Sequence, residues 1–360
     1  MWTTFLLGHW GPASWMTLGL DYLVWGMNPV GYHLTNVVLH TANAVVFYLV
    51  ALRLLRAAMP PARPGELLAG RLGAGLAALL FAVHPLRVES VAWVTERRDV
   101  LSGLFYLFAV WAYLRDAAVG GEGNIRRRMW YWLSFGCFGI ALLSKAITVT
   151  LPVVLIVLDV YPLRRLGTQA GGWWSPQSRR RWLEKIPFVL ASVAVIPITL
   201  VAARAGANLL TLESLSTLDR LAVSLYGLAF YLWKTLVPLG LSPFYPLTRP
   251  IAPFSVPYIL SGLVVAVATV LSILLRRRCP GLLAVWIVYV AAILPVSGIL
   301  QNGGQISADR YSYLPALSLA ILAGAGALGL ARAGTGRRQT PTPALWASGA
   351  SILVVALLTV

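Results

Sequence analysis

Seven side chains, His84, Arg87, Glu89, Glu96, Arg97, Arg98 and Asp99, form a knot of charge inside residues 81–115, in a chain where only 11% of residues are charged. Glu89 and His84 flank Pro85, where a carboxylate could act as a base or orient an acceptor hydroxyl. The plain alternative is a helix-end pair that satisfies local backbone groups. Arg97 and Arg98, with Lys145 on a neighbouring hairpin, could hold a phosphate or pyrophosphate, arginine in a bidentate way and lysine as a point charge. They could equally snorkel to lipid phosphates. Asp99 opens an apolar stretch and suits a helix N-terminus, so it serves as a cap or as a catalytic carboxylate. Asp309 and Arg310 open another, where a salt bridge within the pair is the simple reading.

Other polar residues read as structural. His33, Asn36, His40 and Asn43 recur at spacings of three or four, hence on one helical stripe, which points to interhelical hydrogen bonds or, less simply, a metal site. Asp159 lies beside Arg164 and Arg165 and is expected to pair locally. Cys137 and Cys279 make neither a disulfide framework nor a metal spacing. No phosphate-binding glycine loop, dinucleotide fingerprint, zinc spacing or nucleophile elbow occurs, and no cofactor is implied; a divalent cation stays open as an alternative but is not indicated by the sequence.

The elements that must position these groups are apolar helices. The chain is 58% hydrophobic with mean hydropathy +0.75, which places its 360 residues in the all-α, polytopic membrane class. A charge at the middle of a bilayer costs ~2.5–3.5 kcal/mol on insertion scales, so the knot belongs at a membrane surface or in a wet cavity. Residues 1–29, rich in Trp and broken by Gly11 and Pro12, read as an outer interfacial loop with a short amphipathic helix around Trp15 to Trp25. Residues 30–360 form the multi-span part. Its apolar segments are 31–55, 72–83, 100–114, 130–143, 147–158, 186–203, 218–237, 256–275, 281–300, 311–330 and 343–360, about ten to eleven in all. Pro85 is expected to tilt or end the helix before it.

Orientation follows from charge. Most of the 29 basic residues fall in the loops around 53–71, 115–128, 164–185, 276–278 and 332–338. Placing these on the cytoplasmic side accounts for most of the net charge of +17 without nucleic acid or another anionic partner. It puts the 81–99 knot, Lys145, Lys234, Arg249, Asp309 and Arg310 outside. The alternation fails by one at 218–237. That segment, with the proline-rich stretch to 246, is therefore expected to be re-entrant or to lie along the outer surface.

The pieces HPLRVESVAWVTERRDVL at 84–101, NPVGYHLTNVVLHTAN at 28–43, LLSKAITVTLP at 142–152 and ADRYSYLPALSL at 308–319 resemble the transmembrane and tetratricopeptide-repeat proteins. That family is similar to the protein O-mannosyltransferases among the polytopic glycosyltransferases that use lipid-linked sugars. The resemblance implies a GT-C-like helical bundle in the cell (inner) membrane. Its activity would be transfer of a sugar from a polyprenyl-phosphate donor to a protein or other hydroxyl acceptor at the outer, periplasmic face. Glu89 is then the candidate acid or acceptor-orienting group, with His84 as its neighbour and Asp99 as a further catalytic candidate. Arg97, Arg98, Lys145 and Arg310 would hold the donor phosphate.

Two departures from that pattern set expectations. Members of the family begin with one more helix and an acidic motif in the first outer loop, whereas Met1 here falls within that loop and leaves Asp21 as its only acid; the catalytic role is not carried onto Asp21. The repeats that follow the last helix in the family are not found. A fragment or reduced relative is the expectation, with a non-catalytic remnant as one alternative reading. The other is a transporter or flippase of a lipid-linked or anionic substrate, which should show paired repeats that the sequence lacks.

Overall fold

A computed structural model describes residues 5, 8–119, 125–167, 172–206, 214–299 and 303–335. The expected segment 343–360 lies outside them, as do the first residues of the 1–29 stretch.

The chain is all-α and membrane-spanning. Helix α1 (Pro12–Trp25) leads into α2 (Pro29–Ala58), which Asn28 caps by accepting from the Val30 N–H at 3.1 Å. Helix α3 (Pro64–Val83) stops where Pro85 forbids its continuation, with His84 as the extended residue after it. A 3₁₀ turn and the short α4 (Val88–Ala92) carry the chain to α5 (Arg97–Ala118). Helices α6 (Ile125–Ser144) and α7 (Leu151–Val160) are joined at Lys145 by a 3₁₀ stretch over Ala146–Thr150, so Lys145 sits at the break between them.

The second half runs through α8 (Pro176–Leu183), α9 (Ile186–Ala205), α10 (Thr217–Leu236), α11 (Val256–Leu274), α12 (Pro280–Ile293) and α13 (Pro315–Thr335). Six of the described helical stretches are long and apolar enough to cross a membrane: Pro29–Ala58, Gly65–Val83, Val94–Ala118, Pro176–Ala205, Val256–Arg277 and Pro315–Ala333. Helix α10 is not among them. It is a regular helix closed at its start by a reciprocal Ser216–Asp219 capping box. Two short strands, β1 (Tyr245–Pro246) and β2 (Gln305–Ser307), pair antiparallel and tie the loop after α10 to the loop before α13.

Helix α5 is the centre of the bundle. It packs on α2 and α6, and its Val100, Ala109, Ala112 and Tyr113 are wholly enclosed. The α3–α13 crossing depends on missing side chains: a methyl group added to Gly73 would lie 2.7 Å from the Gly324 carbonyl oxygen. Close backbone approach through small residues is how helices associate where lipid gives no hydrophobic drive. The anticipated stripe on α2 performs the polar part of the packing. Asn36 donates to the carbonyls of Val91 and Trp93, His40 bridges Tyr313 Oη and the Ala82 carbonyl, and Asn43 donates to the Val100 carbonyl at 2.7 Å. His33 stands outside this set, exposed.

Candidate active site

The ends of four elements converge: α4, the first turn of α5, the break at Lys145 and the 3₁₀ turn over Asp309–Ser312 that precedes α13. Glu96, wholly buried in front of α5, is the hub. Its carboxylate lies 2.6 Å from Arg98 Nη2, 2.9 Å from Lys145 Nζ and 3.7 Å from Arg310 Nε. Lys145 also reaches Asp99 Oδ1 at 2.6 Å, and Ser90 Oγ donates to Asp99 Oδ2 at 3.2 Å. Glu89 accepts the Arg310 backbone N–H at 2.7 Å and forms an ion pair with the same residue's guanidinium. Three carboxylates thus alternate with three cations in one continuous array. Burial opposes the charge on Lys145, but Asp99 and Glu96 outweigh it and hold the ammonium pKa above its ordinary value.

Beside this array opens a cavity of about 500 Å³. Arg98, Lys145, His9 and Tyr311 line its polar part, and Gln305, which donates to Tyr311 Oη at 2.8 Å, lies with them. The rest is apolar: Ile147, Val149 and Val153 on one side, Ile196 and Leu200 from α9, Leu294 and Val296 after α12. A polar end with two cations running into an apolar trough is a shape for an amphiphile with an anionic head.

Not every candidate joins the site. Arg97 turns the other way from Arg98. It is fully buried, with its Nη2 2.5 Å from Asp21 Oδ2 and 3.1 Å from the Tyr32 carbonyl, and its Nε donates to Asn36. It anchors α1 to α2 and α5. His84 uses both ring nitrogens on backbone: Nδ1 accepts from the Leu86 N–H at 3.3 Å, and Nε2 faces the Thr235 carbonyl at 3.0 Å. That arrangement needs the neutral ring, and burial, assisted by Arg87, lowers its pKa to about 4. Asp99 is in the first turn of α5 but caps nothing; its oxygens go to Ser90 and Lys145.

The salt bridge anticipated within Asp309–Arg310 does not form. The 3₁₀ turn sends the two side chains apart, Arg310 to Glu89 and Asp309 to Tyr245 Oη at 3.0 Å. Burial raises the Asp309 pKa to about 6, with Glu89 adding to it and the Tyr245 hydrogen bond opposing it. Asp159 pairs as expected with Arg165, and it also takes Lys185 at 2.6 Å and the Tyr113 hydroxyl at 2.6 Å. The sequence left Glu96 without a role. Its signal was an acid directly before the basic pair Arg97 and Arg98, in a charged stretch between two apolar ones.

No family model matches the chain. Curated relatives do. Protein O-mannosyl-transferase Tmtc3 of Drosophila melanogaster is 32% identical over 166 residues, 43% of this chain and 18% of that protein. Tmtc1 of Drosophila melanogaster, another protein O-mannosyl-transferase by name, is 42% identical over 108 residues, 30% of this chain and 11% of its own length. Human TMTC4 is 32% identical over 151 residues, 41% and 20% of the two chains. The chain therefore spans about a fifth or less of the curated relatives it matches. Among solved structures, ArnT from Cupriavidus metallidurans bound to undecaprenyl phosphate aligns with 98% of this chain and 61% of its own, at 14% identity and a TM-score of 0.40.

Proposed function

We propose that this protein is a membrane glycosyltransferase that moves a sugar from a polyprenyl-phosphate donor to a hydroxyl of a protein or other acceptor at the outer face of the membrane. The observation that carries the reading is the cavity in which Arg98 and Lys145 stand at the polar end of an apolar trough. A lipid phosphate fits such a shape with its head against the two cations and its tail along Ile147, Val153, Ile196 and Leu294. Relatives named protein O-mannosyl-transferases support sugar transfer, and protein as the acceptor.

In the reaction the acceptor oxygen bonds to the anomeric carbon as the bond from that carbon to the phosphate oxygen breaks. The acceptor proton passes to a carboxylate, and the polyprenyl phosphate leaves with the bonding electrons. Arg98 and Lys145 stabilise the charge that grows on the leaving phosphate; preorganised donors of that kind are worth ~10²–10³-fold in rate each. Glu96 and Asp99 fix the Lys145 ammonium from two sides. Glu89 is the group we assign to the acceptor, as base or as orienting acid; a well-placed base contributes ~10²–10⁴-fold. It starts from an ion pair with Arg310, so that pair must loosen, or share its oxygens, as the acceptor enters. His84, bonded to backbone on both sides, serves as a support for the loop.

The basic loops set the proposed orientation, with the candidate site outside the cell membrane and the 332-side end of the bundle inside. In this reading α1 lies at the outer interface, held by Asp21 to Arg97, and 218–246 lies along the same face or re-enters. The test is transfer from radiolabelled polyprenyl-phosphate sugars to membrane or secreted-protein acceptors in proteoliposomes. Arg98→Ala and Lys145→Ala should each lose transfer while Arg277→Ala, far along the chain and exposed, keeps it. Transfer retained in both site variants would overturn the reading, and lipid movement across the vesicle without transfer would replace it with a flippase.

A further inference from the structure

At the other end of α5 lies a second pocket, unconnected with the reaction. Arg53 near the end of α2, Arg115 in the last turn of α5 and Arg126 at the start of α6 line a cavity of about 480 Å³, closed by Ala118, Val119, Met129 and Trp130. From Arg98 to Arg115 the helix rises ~26 Å at about 1.5 Å per residue. That is close to the hydrocarbon thickness of a bilayer, ~30 Å. The pocket therefore belongs to the leaflet opposite the candidate active site.

Among the described residues neither Arg53 nor Arg115 forms an ion pair; Asp116, the next residue of α5, turns instead to Arg127 at 3.3 Å and Arg165 at 3.6 Å. The two guanidiniums are placed by indole rings. Arg53 Cζ is 5.9 Å and Arg115 Cζ 4.9 Å from the centre of the Trp111 ring, and Arg115 is also 5.7 Å from that of Trp130. A ring can hold a guanidinium by its face while leaving the edge donors open. Among the described residues the Arg115 Nε has no hydrogen-bond partner. Two cations held in place around a cavity with an unmet donor make an anion site.

We propose that this pocket binds the phosphate of an anionic phospholipid from that leaflet, with the apolar rim of Ala118, Val119 and Met129 taking the start of its acyl chains. The ligand chemistry is a phosphate ester. The rim favours a lipid over free phosphate, because a soluble anion gains nothing from the apolar side chains beside the arginines. Bound there, the lipid joins α2, α5 and α6 at the end remote from the cavity of the proposed donor, and the inference stands whether or not the chain transfers sugar.

Native mass spectrometry of the full chain, released from mixed phosphatidylglycerol and phosphatidylcholine nanodiscs, tests it. We expect retained phosphatidylglycerol in preference to phosphatidylcholine, with Arg53→Gln and Arg115→Gln each weakening retention ~10-fold or more, the scale of one charged hydrogen bond. Arg277→Gln, on another exposed basic turn, should retain lipid as the parent does. Inorganic phosphate should fail to displace the lipid. Should Arg115→Gln fail to fold, Arg53→Gln, half-exposed in the parent, decides the matter alone. Equal retention of the two lipids, unaltered retention in the folded variants, or displacement by inorganic phosphate would each overturn the proposal.

Discussion

Arg97 and Arg98 are consecutive in the chain and are committed to opposite partners, Arg97 to Asp21 at 2.5 Å and Arg98 to Glu96 at 2.6 Å. One rotation of about 100° per residue separates a structural cation from one that lines the candidate site. Arg97→Ala should therefore destabilise the fold by about 3–5 kcal/mol, because it strands the buried Asp21 and the Asn36 amide oxygen. Arg98→Gln should cost less stability, because Glu96 keeps Lys145 and Arg310 as partners, and should abolish donor binding. Equal loss of stability in both variants would contradict this division.

Lys145 stands between Glu96 and Asp99, so its removal has two effects that can be separated. Lys145→Met should cut the transfer rate by ~10² or more through the lost phosphate contact. It should also cost stability that Lys145→Met combined with Asp99→Asn recovers in part, since the second change removes a carboxylate left without its cation. Recovery of stability without recovery of transfer is the expected pattern in paired melting and activity assays.

The His84 ring is neutral in the fold, with a pKa lowered to about 4 against an ordinary value of 6.5. The unfolded chain then binds more protons between these values, so this residue makes stability rise with pH from about 4 to 6.5 and fall on acidification through the same window. The effect is up to ~3 kcal/mol. Asp309, whose pKa is raised to about 6, acts with the opposite sign over about 4 to 6. His84→Gln should therefore flatten the acid-side loss of stability, and Asp309→Asn should steepen it, in denaturation followed from pH 4 to 7. Identical pH profiles for the parent and both variants would refute this assignment.

Asp159 gathers Arg165, Lys185 and the Tyr113 hydroxyl where α5, α7 and α9 meet. Asp159→Asn leaves the buried Lys185 ammonium facing an amide. We expect a loss of about 3–5 kcal/mol in unfolding free energy, with the apparent affinity for donor unchanged in whatever protein remains folded. A shift in donor affinity at constant stability would mean that this cluster communicates with the site.

Apolar runs were legible as helices wherever proline or charge bounded them, and the Asn36, His40 and Asn43 stripe was legible because a helix repeats its faces every three or four residues. The knot at 84–99 and Lys145 announced themselves by their rarity in an apolar chain. What the sequence hid was direction and distance. Arg310 reaches Glu89 at a separation of 221 positions, a pairing that no local pattern encodes. Asp309 and Arg310 looked like a pair because they are adjacent, yet a 3₁₀ turn throws adjacent side chains about 120° apart. Glu96 escaped because its importance lies in being reached by three cations from three elements, which only the packed bundle reveals.

Helix α5 combines two properties that the other five long apolar stretches do not share. Its spanning window is the least apolar of the six, with mean hydropathy 1.2, and the most enclosed by protein, 72% buried against 17–33% for the rest. A segment that owes its place to neighbours has little affinity for lipid by itself. During synthesis α5 should therefore wait at the translocon and partition only with α6, its densest packing partner, the two entering as a hairpin. Glycosylation-site mapping of α5 with and without α6 would show this as inefficient insertion of the lone helix; efficient insertion alone would argue against it. The helix that bears the candidate chemistry is thus also the one whose birth depends most on the chain that follows it.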